Sequence, residues 1–318
     1  MATANQIKML VEAHILKNEE RFKTIVLQLA AHEAKLGHTS FARELRDLLN
    51  KQNSNVKIIQ FNKDVGELIG ISVGDHRLTE LVVAEDVKDR IKRILSEFQM
   101  REKLKKFGLS NRRKILLEGP PGTGKTMSAS VIATEIGLPL CTVKMDKLMT
   151  KFMGETGAKL RGVFDAIKDV PAVYFFDEFD AIGTDRSKDN DVGEVRRILN
   201  LFLQFIEQDT SESIIIAATN NSRLLDPALF RRFDDIIHYD LPDEKQIPNL
   251  IINRLGQFLP ADINKYMSEI VETGKSLSHA ELAKACDDAV KETIMSDRKK
   301  VQSEFLTKMI KEKLGAYS

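Results

Sequence analysis

Residues 119–126 read GPPGTGKT and place glycines, a lysine and a threonine at the spacing G-x-x-x-x-G-K-[ST]. Glycine lets backbone N–H groups wrap a triphosphate that Cβ atoms would keep at a distance. Lys125 can then reach the β- and γ-phosphates, and Thr126 can place its hydroxyl on Mg²⁺. The alternative is an accidental glycine-rich turn, which the full match after an apolar run makes the weaker interpretation. The predicted contacts of the nucleotide are Gly119, Pro120, Pro121, Gly122, Thr123, Gly124, Lys125, Thr126 and Met127.

A second group of residues suited to chemistry is Asp177 and Glu178, which follow the apolar run VYFF. A strand buried on both faces would deliver the two carboxylates to the edge of a sheet, beside the phosphate loop. Asp177 would hold Mg²⁺, directly or through water, and Glu178 would polarise the water that attacks the γ-phosphate. The alternative, two solvated carboxylates at the end of a strand, would be preferred without the phosphate loop upstream.

The elements that must position these residues alternate between helix and strand from about residue 78 to Pro242. Helical spacing predicts a charged helix over 84–105, and short apolar runs predict the strands. The predicted strands lie near 114–118, 139–143, 172–176, 213–218 and 236–239. This alternation is typical of an α/β fold in which a parallel sheet carries helices on both faces and binds ligands at its carboxyl edge. We predict the P-loop NTPase sheet over 78–242 and a small helical lid subdomain over 243–318.

The part of the chain before residue 78 is predicted to form separate structure. Apolar residues at helical spacing indicate a small helical N-terminal domain over 1–52, either for docking a client or partner or as a packed accessory bundle. Residues 53–77 are predicted to be a linker. Its β-prone runs, 56–61 and 68–73, would either pair as a hairpin or pack beside the next domain.

Further motifs follow in a fixed order along residues 78–315. The run IIIAATN ends in Asn220, and LLDPALFRRFD carries Arg231 and Arg232. With the phosphate loop and the acidic pair, these motifs resemble those of AAA ATPases, ring-forming motors that use ATP hydrolysis to remodel or unfold other proteins. The resemblance implies that Asn220 helps to orient the attacking water and that the two arginines reach into the nucleotide site of a neighbouring subunit. The family usually separates its arginines by two or three residues, whereas here they are adjacent, and Arg231 is the better aligned. The alternative for both is a surface salt bridge.

Two further segments bear on the substrate and the lid. Phe152, Met153 and Gly154 resemble the aromatic-hydrophobic-glycine loop that lines the central pore in this family. An aromatic ring and a flexible thioether on such a loop can grip unfolded polypeptide of almost any sequence, whereas the alternative is that Phe152 packs in the core. The run Ser278 to Glu281 resembles a serine-glycine-alanine-acid motif, with His279 in place of the glycine and no sensor 2 arginine.

Composition limits the remaining possibilities. The 48 Lys and Arg residues balance 47 Asp and Glu residues, so the chain lacks the global basic field of a protein that coats nucleic acid, and a nucleic-acid partner is disfavoured. Cys141 and Cys286 lie far apart, which gives no support to a disulfide framework or a zinc site. No apolar run approaches the ~20 residues of a membrane span, and the first residues lack a signal-peptide pattern, so we expect no membrane partner and a cytoplasmic location.

We therefore predict an ATP-hydrolysing motor that uses ATP and Mg²⁺, assembles as a homo-oligomeric ring, hexameric by the resemblance, and remodels, unfolds or threads protein clients. The alternative is a nucleotide-gated scaffold or regulator that hydrolyses ATP slowly and translocates nothing. A helical module before a compact ATPase is similar to the arrangement in bacterial ATPases found beside a subtilisin-like protease. This implies a separate protease partner, or a protein client or adaptor, because the chain carries no protease signature.

Overall fold

A computed structural model describes residues 4–15, 19–35, 41, 61–149, 153–179, 191–220 and 230–315. The chain divides into two compact units, residues 1–59 and 60–318. In the first unit, helices α1 (Ala4–Ile15) and α2 (Glu19–Lys35) pack against each other. Ile25, Leu29 and Ala30 of α2 are buried, as expected where an apolar stripe at helical spacing covers a partner helix.

The second unit contains the strands and the remaining helices of the described residues. The strands are β1 (Ile69–Ser72), β2 (Lys114–Glu118), β3 (Leu140–Val143), β4 (Val173–Phe176), β5 (Ile214–Thr219) and β6 (Asp235–His238). The helices are α3 (Lys63–Leu68), α4 (Glu85–Gln99), α5 (Arg101–Lys106), α6 (Lys125–Ile136), α7 (Met145–Leu148), α8 (Met153–Asp169), α9 (Asp191–Gln208), α10 (Gln246–Leu255), α11 (Ile263–Gly274), α12 (His279–Met295) and α13 (Ser303–Gly315). A 3₁₀ turn, Gly256–Phe258, follows α10.

The strands form a single sheet in the order β1-β3-β4-β5-β2-β6. All neighbours from β3 to β6 are parallel, and helices cover both faces, so the predicted α/β class is confirmed. Each of the five predicted strands is present, with ends within one residue of those expected. The apolar runs succeeded as predictors because a parallel sheet covered on both faces needs uninterrupted hydrophobic strands.

One strand adds an antiparallel edge to the otherwise parallel sheet. Ile69 of β1 pairs with Val143, and Ile71 pairs with Cys141, so this strand packs on the edge of the ATPase sheet. It belongs to the β-prone run 68–73. The other run, 56–61, lies outside the described residues up to position 60, and the hairpin between the two runs stays a prediction.

The predicted helix over 84–105 is divided at Met100 into α4 and α5. Buried apolar residues recur along α4 from Val87 to Phe98, whereas α5 buries no residue. The Met100 N–H caps α4 by donating to the Ser96 carbonyl. The helix therefore ends where its apolar stripe ends, because burial of that stripe supplies most of its stability.

The core lies on both faces of the sheet. On one face, Leu117 and Phe175 join residues of α4 and α6 in one hydrophobic cluster. On the other face, the Phe176 ring lies 5.1 Å from the Phe202 ring of α9 in an edge-to-face arrangement, and Phe164 of α8 lies 5.6 Å from the same ring. Such pairs hold β4 between two layers, and this fixes the position of the carboxylates that follow it.

Helices α10 to α13 form the helical C-terminal part, with a hydrophobic core separate from that of the sheet. Ile247 and Ile251 of α10 pack there with Leu282 of α12 and Leu306 of α13. This agrees with the expected helical lid. Among the helices that the structure describes, none combines the length and the apolar character needed to span a bilayer.

Candidate active site

A pocket of about 900 Å³ lies at the carboxyl edge of the parallel strands. It is bounded by the phosphate loop, the ends of β4 and β5, the segment before α4, and the lid helices α10 and α12. The predicted site residues that line it are Pro121, Gly122, Gly124, Lys125, Thr126, Met127, Asp177, Glu178 and Asn220. Gly119, Pro120 and Thr123 belong to the same loop without lining the pocket. The topology thus brings together residues that lie about one hundred positions apart in sequence.

The phosphate loop leaves β2 and enters α6 through backbone conformations that favour glycine. Gly119 has φ 148° and Gly122 has φ 74°. A Cβ atom on Gly119 would overlap the carbonyl oxygen of Tyr239, so only glycine fits there. Lys125 begins α6, and its ammonium donates to the carbonyl of Gly119 at 2.7 Å and to that of Pro120 at 2.8 Å. Lys125 and the first turn of α6 line the pocket, so the positive end of this helix favours an anion there.

Thr126 and Asp177 offer oxygen atoms suited to a magnesium ion. The Thr126 hydroxyl donates to Asp177 Oδ2 at 3.1 Å, and Asp177 Oδ1 accepts from the Glu178 N–H at 2.9 Å. Hydroxyl and carboxylate oxygens are ligands that Mg²⁺ prefers, and the ion commonly completes its shell with water and substrate phosphates. Within the described ranges, no group of three or more His, Cys, Asp or Glu residues could hold a metal without such help. The donor set therefore fits Mg²⁺ brought in with a nucleotide.

Glu178 occupies an unusual backbone conformation at the mouth of the pocket. Its φ is 50°, in the left-handed region that costs a non-glycine residue about 1–2 kcal/mol. The next residue, Phe179, is fully buried, and its N–H donates to the carbonyl of Ala218 in β5 at 2.8 Å. The buried strand β4 before Glu178 and the buried Phe179 after it thus hold the turn at Glu178 in place. Asn220 follows β5, which pairs with β4, the strand before Glu178. The side chains of Glu178 and Asn220 therefore lie at the ends of adjacent strands.

The lid contributes Ala280 of the run Ser278 to Glu281 and four pocket residues that sequence reasoning missed: Leu250, Asn253, Arg254 and Ala283. The lid contacts the phosphate loop directly, because the Ala280 N–H donates to the Gly122 carbonyl at 3.0 Å. A Cβ atom on Gly122 would lie 2.6 Å from Ser278 Oγ. Ser278 and Glu281 cap α12 reciprocally, which is a capping box. The spacing of those two residues was the available signal that a helix begins here, but it did not indicate which partner that helix end contacts.

His279, the first residue of α12, is 9% exposed and lines the pocket. Its Nε2 lies 3.2 Å from Gln246 Oε1, and Nδ1 has no hydrogen-bond partner among the described residues. Burial lowers the pKa of the imidazole to about 4, against a smaller opposite effect of the Asp243 carboxylate. The ring is therefore neutral near pH 7, an uncharged aromatic wall where the family pattern has glycine.

The segment before α4 forms another wall of the pocket, with His76, Thr79, Glu80, Leu81 and Val82. Two hydrogen bonds attach this segment to α6. Ser130 Oγ donates to Asp75 at 3.3 Å, and the Leu78 N–H donates to Glu135 at 3.0 Å. Leu81 is both buried in the core and part of the lining, so the same side chain packs the sheet and shapes the pocket.

The two arginines differ in their surroundings, and both are exposed in part to solvent. Neither Arg231 nor Arg232 belongs to the described lining. Arg231 is exposed, whereas Arg232 Nε lies 3.3 Å from Glu207 Oε2 near the end of α9. Arg232 thus makes the surface ion pair that was its alternative interpretation.

The three residues of the expected pore loop are only partly described. Phe152 lies outside the described residues, and Met153 begins α8. Gly154, in the first turn of α8, is exposed, and a Cβ atom there would have no neighbour within 4 Å. The pore role of this segment stays a prediction.

Comparison with known proteins identifies the family of this chain. The profile of the ATPase family associated with various cellular activities (AAA) matches residues 115–241. An uncharacterised AAA family ATPase of Sinorhizobium fredii is 30% identical over 310 residues, which cover 95% of this chain and 92% of that protein. A 26S proteasome regulatory subunit homologue of Methanocaldococcus jannaschii is 31% identical, with 75% of this chain and 64% of that protein covered. The ATP-dependent zinc metalloprotease FtsH 2 of a Thermoanaerobacter species is 31% identical over 72% of this chain and 46% of its own length. On the near full-length match and the profile, this chain belongs to the AAA family and is an ATPase.

Proposed function

We propose that this ATPase is a ring-shaped motor that remodels, unfolds or threads protein clients and hydrolyses ATP between neighbouring subunits. The observation that carries the proposal is that Arg231 does not line the pocket of its own chain, while Lys125, Glu178 and Asn220 line that pocket together. AAA ATPases typically oligomerise and act on protein substrates. An exposed arginine outside the lining of its own pocket suits completion of a neighbour's site.

Within the pocket, each residue has a role that its position supports. Lys125 would bind the β- and γ-phosphates, and Thr126 and Asp177 would hold Mg²⁺, which supplies charge neutralisation at the phosphates when bound. Glu178 would accept the proton of the attacking water, and Asn220 would orient that water. The phosphate-loop backbone from Gly119 onward would wrap the triphosphate.

Arg231 of one subunit would place its guanidinium where negative charge gathers in the neighbour's transition state, an effect worth about 10³-fold or more in rate. Arg232 would first have to leave Glu207. An exposed ion pair of this kind is worth only about 0–1 kcal/mol, so the pair weakens a role for Arg232 at the neighbour's site without blocking it.

For the substrate, we propose that Phe152, Met153 and Gly154 contact polypeptide in the ring pore. The exposed start of α8 at Gly154 supports this position. The N-terminal helices over 1–52 would select the client or adaptor, and a separate protease is one candidate partner. The division between a large subdomain over 78–242 and a lid over 243–318 is supported by the two separate cores. The proposed linker over 53–77 contains α3 and β1, and β1 pairs with the edge of the ATPase sheet. A hexameric ring and a cytoplasmic location stay predictions.

The test is the ATPase rate as a function of protein concentration, with the oligomer mass measured in parallel for wild type, Arg231→Ala and Arg232→Ala. The last two variants lose the same charge one position apart. We expect specific activity to rise with assembly and to fall at least about 100-fold in Arg231→Ala, with ATP still bound and Arg232→Ala less affected. Activity that is independent of concentration and of Arg231 would favour the nucleotide-gated scaffold or regulator.

A further inference from the structure

Tyr239, the residue after β6, contacts the start of the phosphate loop through its backbone. Its N–H donates to the carbonyl of Glu118, the last residue of β2, at 2.7 Å. Its own carbonyl lies so close to Gly119 that no side chain could be added there. The backbone of Gly119, the first residue of the loop, therefore packs directly against the Tyr239 backbone.

The side chain of the same tyrosine reaches the other end of the loop through one intermediary. Tyr239 Oη donates to Ser128 Oγ at 2.7 Å, and Ser128 Oγ donates to the Gly124 carbonyl at 3.0 Å. Gly124 directly precedes Lys125 and lines the pocket. Both side chains are buried, Tyr239 at 3% exposed and Ser128 at 0%. Burial raises the pKa of the Tyr239 hydroxyl, so that it keeps its proton and remains a donor.

A polar pair is not what packing alone would select at this position. Tyr239 lies in the hydrophobic cluster beneath the loop, with Ala129, Val131 and Ile132 of α6. Replacing both members of a buried hydrogen-bonded pair by apolar groups of similar shape is often nearly neutral for stability. The Gly124 carbonyl accepts the backbone N–H of Ser128 and also the Ser128 hydroxyl. An apolar pair in place of Tyr239 and Ser128 would lack the second of these hydrogen bonds.

We propose that Tyr239 is a positioning residue for nucleotide binding by this ATPase, which acts through Ser128 to hold the phosphate loop at Gly124 while its backbone holds Gly119. Tyr239 does not line the pocket. The inference rests on the proposed binding of ATP by this loop and is independent of the ring. A loop held at both ends presents its N–H groups in place before the anion arrives, so the cost of ordering it is not paid at binding.

The test uses the full chain with three variants, Tyr239→Phe, Ser128→Ala and the double variant. We expect each to raise the KM for ATP and the dissociation constant for ADP about five-fold, the size of one net hydrogen bond, with kcat nearly unchanged. Urea unfolding measured in parallel should show lower stability in Ser128→Ala, which strands a buried hydroxyl, and recovery in the double variant. Recovered stability with KM still raised is a pattern that a merely structural role does not give.

Tyr174→Phe is the matched control. Its hydroxyl is also buried but donates to the carbonyls of Ala166 and Val170, away from the loop. It should lower stability and leave KM unchanged. The proposal would be overturned if the KM for ATP rose in proportion to the loss of stability across all four variants. It would also be overturned if KM in Tyr239→Phe equalled the wild-type value. Lys125→Ala tests the premise that this loop binds ATP. If that variant still bound ATP, the assignment of the phosphate loop would be wrong, whatever the result for Tyr239.

Discussion

The buried imidazole of His279 predicts a measurable loss of stability in mild acid. Its pKa in the folded chain is about 4, compared with an ordinary value of 6.5. Between these two values the unfolded chain binds a proton that the folded lid excludes, so the free energy of unfolding rises with pH across this window and falls as pH is lowered through it. A shift of this size corresponds to at most about 3 kcal/mol.

The size of this effect follows from burial at the lid and phosphate-loop junction. The imidazole is 9% exposed, and its Nδ1 has no hydrogen-bond partner among the described residues to share a positive charge. Only the Asp243 carboxylate acts in the opposite direction, and more weakly. Desolvation therefore outweighs attraction, and protonation should loosen the N-terminus of α12, the part of the lid that contacts Gly122.

The assay is urea unfolding without nucleotide, at steps from about pH 4 to pH 7, on wild type and His279→Gln. Glutamine does not titrate and can still bond Gln246, and other titrating groups cancel in the difference between the two proteins. Wild type should lose up to about 3 kcal/mol relative to the variant as pH falls through the window. The reasoning would be refuted if the free energy of unfolding depended on pH in the same way in both proteins, or if wild type became more stable than the variant in acid. An NMR titration of the His279 ring gives the pKa directly.

Four further substitutions test the proposed site. Glu178→Gln should bind ATP and slow hydrolysis by about 10²-fold or more in a phosphate-release assay, and full activity would remove its role as the base. Lys125→Ala should abolish tight binding of a fluorescent ATP analogue, because the ammonium is the cation beside the loop. Gly122→Ala should weaken ADP binding and increase protease cleavage of the lid, since its Cβ would lie 2.6 Å from Ser278 Oγ; unchanged binding and cleavage would mean that the lid does not dock there. Phe152→Ala should keep basal hydrolysis and lose unfolding of a tagged client, and surviving unfolding would contradict the pore assignment.

The sheet and its ligand-binding edge could be predicted because local sequence specifies them. Four consecutive apolar residues before Asp177 are typical of a strand covered on both faces in a chain of alternating helices and strands. The carboxyl ends of parallel strands meet at one edge, so Asp177, Glu178 and Asn220 had to lie near the loop that follows β2. The glycine spacing then predicted which loop at this edge would bind a phosphate.

The contacts that close the pocket could not be predicted, because they join distant residues with no local pattern. The hydrogen bond from Ala280 to Gly122 depends on how the lid packs on the sheet, which helical periodicity does not encode. The same holds for the Tyr239 to Ser128 bond, which joins positions 111 residues apart. Strand β1 was uncertain for a related reason. A short β-prone run does not indicate its partner strand until the sheet offers a free edge.

The adjacent arginines illustrate how one-residue spacing limits the roles that two side chains can share. Neighbouring side chains on a turn or helix point in different directions, whereas residues three or four apart lie on the same side. Arg232 is directed to Glu207 near the end of α9, and this leaves Arg231 as the exposed member of the pair. We therefore expect a division of roles: Arg231 serves the neighbour's site, and Arg232 steadies the segment that carries it. Arg232→Lys, which keeps the charge but loses the planar donor, should leave the ATPase rate almost unchanged, while Arg231→Lys should lose most of it. Equal losses in the two variants would show that both guanidinium groups act at the same site.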